Sequence, residues 1–153
     1  MHSYVACIGD SRAVDIILDS INQVLTLHTK FPTPFVHIGA DEAFQVGVCE
    51  ADKKILPVKY GNDSRKLVFD HIKTLAKNIT GSHPRTQVLL WFDEFKSIPP
   101  FLVKEYGLDK LVTPVVWKYT GDLDKDLPPE LWTNLSVSFS SIWGGSAFKG
   151  INS

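Results

Sequence analysis

The residues best suited to chemistry in this chain are two adjacent carboxylates, Asp41 and Glu42. They lie just beyond an apolar stretch, Phe35 to Gly39, that reads as a short buried strand. Within a regular strand neighbouring side chains point to opposite faces. At a strand end that alternation relaxes, so both carboxylates can approach one ligand from different angles. Gly39 and Ala40 keep the backbone uncrowded for that approach. One carboxylate can then serve as general acid and base while the other stabilises developing charge. An acid working near neutrality needs a raised pKa, which burial beside a second carboxylate supplies. His37, on the strand itself, reads as a support for the pair from below.

The elements that must position this pair alternate in type. Val14, Ile17, Leu18, Ile21 and Leu25 recur at helical spacing and predict a helix over 11–28, capped by Asp10 or Ser11 and stopped by Pro32 and Pro34. Val68, Ile72, Leu75 and Ile79 predict a second helix over 64–80, with Gly81 as its stop. Strands are expected over 35–39, 87–92, 111–117 and 136–143, with short helices over 99–106 and 131–135. Pro114 is expected near an edge or an end of its strand. Strictly alternating strands and helices imply an α/β fold with parallel strands and crossover helices. Such folds place their chemistry at the C-terminal strand ends. The expected ends carry His37, Asp41 and Glu42; then Trp91, Asp93 and Glu94; then Trp117 and Tyr119; then Trp143 and Ser146. Three of the four tryptophans fall at such ends, which suits a pocket that holds the apolar face of a sugar. Trp132 is assigned to packing, and Glu94 to the surface.

Composition limits the alternatives. A hydrophobic fraction of 44% and a charged fraction of 22% fit one globular domain, residues 1–153. A net charge of −1 gives no electrostatic case for nucleic acid or an anionic membrane. No apolar run approaches the roughly 20 residues of a membrane span. Met1 to Asp10 shows no signal-peptide pattern, so a cytoplasmic or nuclear location is expected. Cys7 and Cys49 form no metal-ligand spacing and read as two free buried thiols in a reducing compartment. Asn-x-Ser/Thr triplets at Asn62, Asn78 and Asn134 read as chance. No metal and no cofactor are expected. Neither a Gly-x-Ser-x-Gly elbow nor a phosphate-binding glycine loop occurs.

The segment His37-Ile38-Gly39-Ala40-Asp41-Glu42 resembles the His-x-Gly-Gly-Asp-Glu motif of family 20 glycoside hydrolases, with Ala40 in place of the second glycine. Trp91-Phe92-Asp93 is similar to the family's Trp-x-Asp after the fifth barrel strand, and Pro114 to Thr120 to its sixth-strand segment. Ile142 to Gly150 resembles the Ser-Ala-Phe-Lys-Gly segment of one β-N-acetylhexosaminidase subgroup. The four matches are in order. The resemblance implies part of a (β/α)8 TIM barrel, about strands four to seven. It also implies a retaining exo-β-N-acetylhexosaminidase that works by substrate assistance, an exception to the two-carboxylate retaining scheme. The substrate's own 2-acetamido oxygen attacks the anomeric carbon. Glu42 is then the general acid and base, and Asp41 orients the acetamido group. Trp91, Trp117 and Trp143 form pocket and platform, Tyr119 donates to the acetamido oxygen, and Asp93 binds a sugar hydroxyl or orients Asp41. The implied partner is a glycoside ending in N-acetylgalactosamine or N-acetylglucosamine.

A whole barrel of this kind has eight strands and about 250 residues. The four strands expected here leave two open parallel edges, which invite self-association. A non-catalytic carbohydrate-binding or interaction fragment of the same fold is the alternative function.

Overall fold

In the computed structural model, which describes residues 5–96 and 98–146, four strands form one parallel sheet in the order β1-β2-β3-β4. The strands are β1 (Phe35–His37), β2 (Gln87–Trp91), β3 (Val112–Trp117) and β4 (Trp143–Gly145). The helices are α1 (Ser11–Leu27), α2 (Glu50–Lys59), α3 (Ser64–Ser82), α4 (Pro100–Glu105), α5 (Leu108–Leu111), α6 (Leu123–Asp126) and α7 (Pro129–Ser138). A 3-10 turn, Phe92–Phe95, follows β2 directly. Every strand pairing is parallel, and sequential strands are spatial neighbours, as crossover helices require.

The two long helices start where the sequence places them. Asp10 caps α1 by accepting the Arg12 amide at 3.0 Å, and Asp63 caps α3 by accepting the Arg65 amide at 3.0 Å. α3 carries the main apolar stripe: Leu67, Val68, Phe69, Ile72, Leu75, Ala76 and Ile79 are all buried. Its helix continues through Gly81, with ordinary backbone angles there, and ends before Pro84. That stripe packs on the convex face of the sheet, where Val88, Leu90, Val112, Pro114 and Val116 point. Each such side chain contributes roughly 1.5–3 kcal/mol on burial.

The concave face is built by the alternate residues. Phe35 on β1 and Trp143 on β4 touch edge to face, with ring centroids 4.7 Å apart. Those two strands lie at opposite edges of the sheet, so the contact shows how far the sheet curls. Gln87 Nε2 also donates to Thr113 Oγ1 at 2.6 Å on this inner side. The result is a curled half-barrel with its helices outside.

Four expectations are corrected. The strand expected over 136–143 is instead the end of α7 followed by loop, and β4 begins only at Trp143. Pro129 sits at the first helical turn, and Leu131, Leu135 and Phe139 face the core at four-residue steps, so helical burial outweighs the β-favouring Val137. Pro114 lies inside β3, which has neighbours on both sides; β4 pairs only from Val115 onward, so no rung of that ladder is needed at Pro114. Helix α2 was not expected, because Pro57 interrupts it and its apolar content is low. Finally, Cys7 and Cys49 are joined in a disulfide, with Cα atoms 5.9 Å apart, and are not free thiols. The cysteines therefore lend no support to a reducing compartment. No helix among the described residues is long and apolar enough to cross a membrane.

Candidate active site

At the C-terminal end of β1 the chain enters the left-handed region at Gly39 and Ala40, leaves it at Asp41 and returns to it at Glu42. Gly39 has φ 77°, Ala40 φ 64° and Glu42 φ 47°. The first is free for glycine; the other two are unusual for residues with a Cβ, at about 1–2 kcal/mol each. Strain of this kind persists only where the surrounding structure enforces it. It also explains why the motif favours glycine where Ala40 stands. The turn lifts Asp41 and Glu42 off the sheet, and both are exposed.

Three contacts hold this loop. The Gly39 amide donates to His37 Nδ1 at 3.0 Å. Nδ1 must be unprotonated to accept, so the neutral ring carries its proton on Nε2. Burial lowers the His37 pKa from its ordinary value, while the nearby Asp41 charge pulls the other way. The Ala43 amide, next after Glu42, donates to Glu94 Oε1 at 3.3 Å. The Gly47 amide donates to Asp52 Oδ2 at 2.9 Å, and the same buried carboxylate accepts the Gly9 amide through Oδ1 at 2.6 Å. Three residues before Asp52 comes Cys49, tied to Cys7.

Beside the loop stands a row of rings. His37 and Trp91 are 4.4 Å apart, Trp91 and Trp117 6.2 Å, and Trp117 and Tyr119 5.0 Å. They come from the ends of β1, β2 and β3, so the parallel sheet brings together residues far apart in sequence. Gly145 completes the wall: a Cβ there would meet Trp91 at 3.2 Å and Val115 at 3.3 Å. Asp93 locks one ring in place. Its Oδ2 accepts the Trp117 indole N–H at 2.7 Å, and its Oδ1 pairs with Lys96 at 2.9 Å. Lys96 in turn lies 4.6 Å above the Phe92 ring.

The structure thus gathers His37, Asp41, Glu42, Trp91, Asp93, Trp117 and Tyr119 at one end of the sheet. Trp143 starts its strand instead of ending it; it is in register with Val115, which is itself in register with Trp91, and its ring packs on Phe35 at the opposite edge of the sheet. The part of the fourth motif after Ser146 lies outside the described residues. Glu94 and Asp52 were missed as anchors. Glu94 reads as a surface charge in sequence, because only the 3-10 turn at Phe92 swings it back towards the loop. Asp52 lies in the helix the sequence concealed. Cys7, Cys49 and Asp52 also form a grouping of potential metal ligands among the described residues, but the disulfide leaves no thiolate to bind one.

A curled parallel sheet, with helices outside and carboxylates and indoles at its C-terminal strand ends, makes this chain an α/β protein compatible with four strands of a (β/α)8 barrel. Over 144 residues, 92% of its length, the chain is 31% identical to Hexosaminidase D of Homo sapiens, and over 142 residues, 91% of its length, it is 32% identical to Hexosaminidase D of Bos taurus. It spans 29% and 40% of those two proteins' lengths. No family model matches the chain. In sequence the chain is similar to part of hexosaminidase D.

Proposed function

We propose that this chain carries the catalytic dyad of a retaining exo-β-N-acetylhexosaminidase acting by substrate assistance. The observation behind this reading is the left-handed turn that presents Asp41 and Glu42 beside the Trp91–Trp117–Tyr119 row. In the proposed reaction the sugar's acetamido oxygen attacks the anomeric carbon and closes an oxazoline ring. Glu42 gives its proton to the leaving oxygen. Asp41 holds the acetamido N–H and balances the positive charge that develops. Water then opens the oxazoline, with Glu42 taking the proton back. Trp91 and Trp117 supply apolar surface for the sugar and its acetamido methyl, and Tyr119 donates to the acetamido oxygen.

The test is release of an aryl leaving group from β-N-acetylgalactosaminide and β-N-acetylglucosaminide, with Glu42→Gln alongside. Turnover that falls by about 10²-fold or more in the variant supports the reading. Equal turnover in both sinks it. A second reading, sugar binding without turnover, is favoured by the exposure of both dyad carboxylates. Saturable binding of the aryl glycosides with no release would establish it.

A further inference from the structure

The loop that carries the dyad is fixed from outside by a residue the motif does not contain. The geometry points to Glu94 as a positioning residue that sets the direction of Glu42 by holding the amide of Ala43. This rests on the reading of Glu42 as the general acid. Glu94 is half-buried and sits on the 3-10 turn after β2, the neighbouring strand to β1. Its Oε1 accepts the Ala43 N–H at 3.3 Å across a sequence separation of 51 residues. The peptide it grips is the one that joins Glu42 to Ala43. Glu42 itself sits at φ 47°, a conformation that a residue with a Cβ holds only when its surroundings enforce it. The next amide on, that of Phe44, bonds back to the Glu42 carbonyl at 2.7 Å, so the turn is closed locally; the Trp91 amide ties its start to β2 through the Gly39 carbonyl at 2.9 Å, Glu94 holds it directly after Glu42, and Asp52 on α2 holds it further on at Gly47.

The division of labour on the 92–95 turn is consistent with this. Adjacent carboxylates go separate ways: Asp93 to the Trp117 indole and Lys96, Glu94 to the dyad loop. One turn therefore fixes both a platform ring and the general acid relative to β2. Burial pushes the Glu94 carboxyl above the ordinary glutamate range, the Ala43 hydrogen bond and the Lys96 charge pull it down, and the Asp93 charge pushes it up.

The experiment uses ¹⁵N-labelled chain and three forms: wild type, Glu94→Gln and Glu94→Ala. Glutamine keeps an acceptor oxygen without the charge; alanine removes both. In the wild type the Ala43 amide proton is expected to move with pH about a midpoint above the ordinary glutamate value, and in Glu94→Gln that titration is expected to vanish. A titration that persists in Glu94→Gln belongs to Asp41 or Glu42 and overturns the proposal, as does an Ala43 amide that does not titrate at all. Order parameters at Glu42 and Ala43 are expected to fall in Glu94→Ala and to be kept in Glu94→Gln; unchanged values in Glu94→Ala overturn it. In the aryl glycoside assay kcat is expected to drop about tenfold or more in Glu94→Ala with KM moved less, and to return to within about threefold in Glu94→Gln. If the wild-type chain shows no turnover, it is the hexosaminidase reading that fails, and the amide measurements decide the role of Glu94 in holding the loop.

Discussion

The two faces of the sheet share the same four strands and differ in how completely they are covered. On the convex face Val88 and Leu90 are wholly buried and Val116 is 1% exposed, under the α3 stripe of Phe69, Ile72, Ala76 and Ile79. On the concave face the largest pair, Phe35 and Trp143, remains 43% and 38% exposed although the two rings touch. A helix covers the outside of each strand pair locally, within one crossover. The inside of a barrel is filled by layers of side chains from all round the ring, and four strands supply only part of each layer. The lesson is that stability and chemistry are separated in this fold. The outer layer is a finished core, while the inner layer is buried at its centre, at Leu89, Thr113 and Val115, and open at its two edge strands and at the strand ends that carry the candidate site.

The sharpest way to break that comparison is paired truncation. Phe69→Ala is expected to cost about 3–5 kcal/mol by denaturant unfolding, the usual range for a buried aromatic. Trp143→Ala should cost less than half of that, because its ring is only partly covered. Similar losses at both positions would mean that the inner face is as well packed as the outer.

The disulfide comes next. The pair encloses 42 positions of sequence separation, including α1, β1 and the dyad loop. Replacing Cys7 and Cys49 together by serine is expected to lower stability by about 3–4 kcal/mol on the chain-entropy scale. A smaller loss would show that Asp52 and its two amide bonds hold the segment without the bridge.

A smaller effect of opposite sign is expected at the turn. Ala40→Gly removes the Cβ from a residue at φ 64° and should stabilise the chain by about 1 kcal/mol. A loss of stability there would show that the Ala40 methyl packing outweighs the strain.

The least effect concerns pH. The folded-state pKa of His37 is lowered, so its neutral ring is the form the fold prefers. The contribution is therefore present above about pH 6.5 and is lost as pH falls through the lower folded value, when protonation of Nδ1 removes the acceptor for Gly39. Because the ring is partly exposed, the difference is expected to be only a few tenths of a kcal/mol. It can be read as the change in Tm between pH 5.5 and 7.5 in wild type minus that in His37→Gln. An identical pH response in both proteins would remove His37 from the account.

Sequence alone determined the parallel α/β order, the boundaries of α1, α3 and β2 to within a few residues, and the gathering of most site residues at one end of the sheet. Those features follow from short-range patterns: helical spacing, capping aspartates and runs of buried apolar residues, each decided by the chain's own neighbours. Tertiary structure alone decided the disulfide, the burial of Asp52, the packing of Trp143 on Phe35 and the return of Glu94 to the dyad loop. Each depends on which distant segments the curled sheet brings together: Cys7 with Cys49, Phe35 with Trp143, Ala43 with Glu94. Helix α2 and the extension of α7 to Ser138 belong to the same group, since a Pro inside one and a β-favouring Val137 in the other were outweighed by burial of Leu56 and Leu135. Local preference is worth only about 1 kcal/mol per residue, whereas burying a large side chain is worth up to about 3 kcal/mol, so where the two disagree the packing wins.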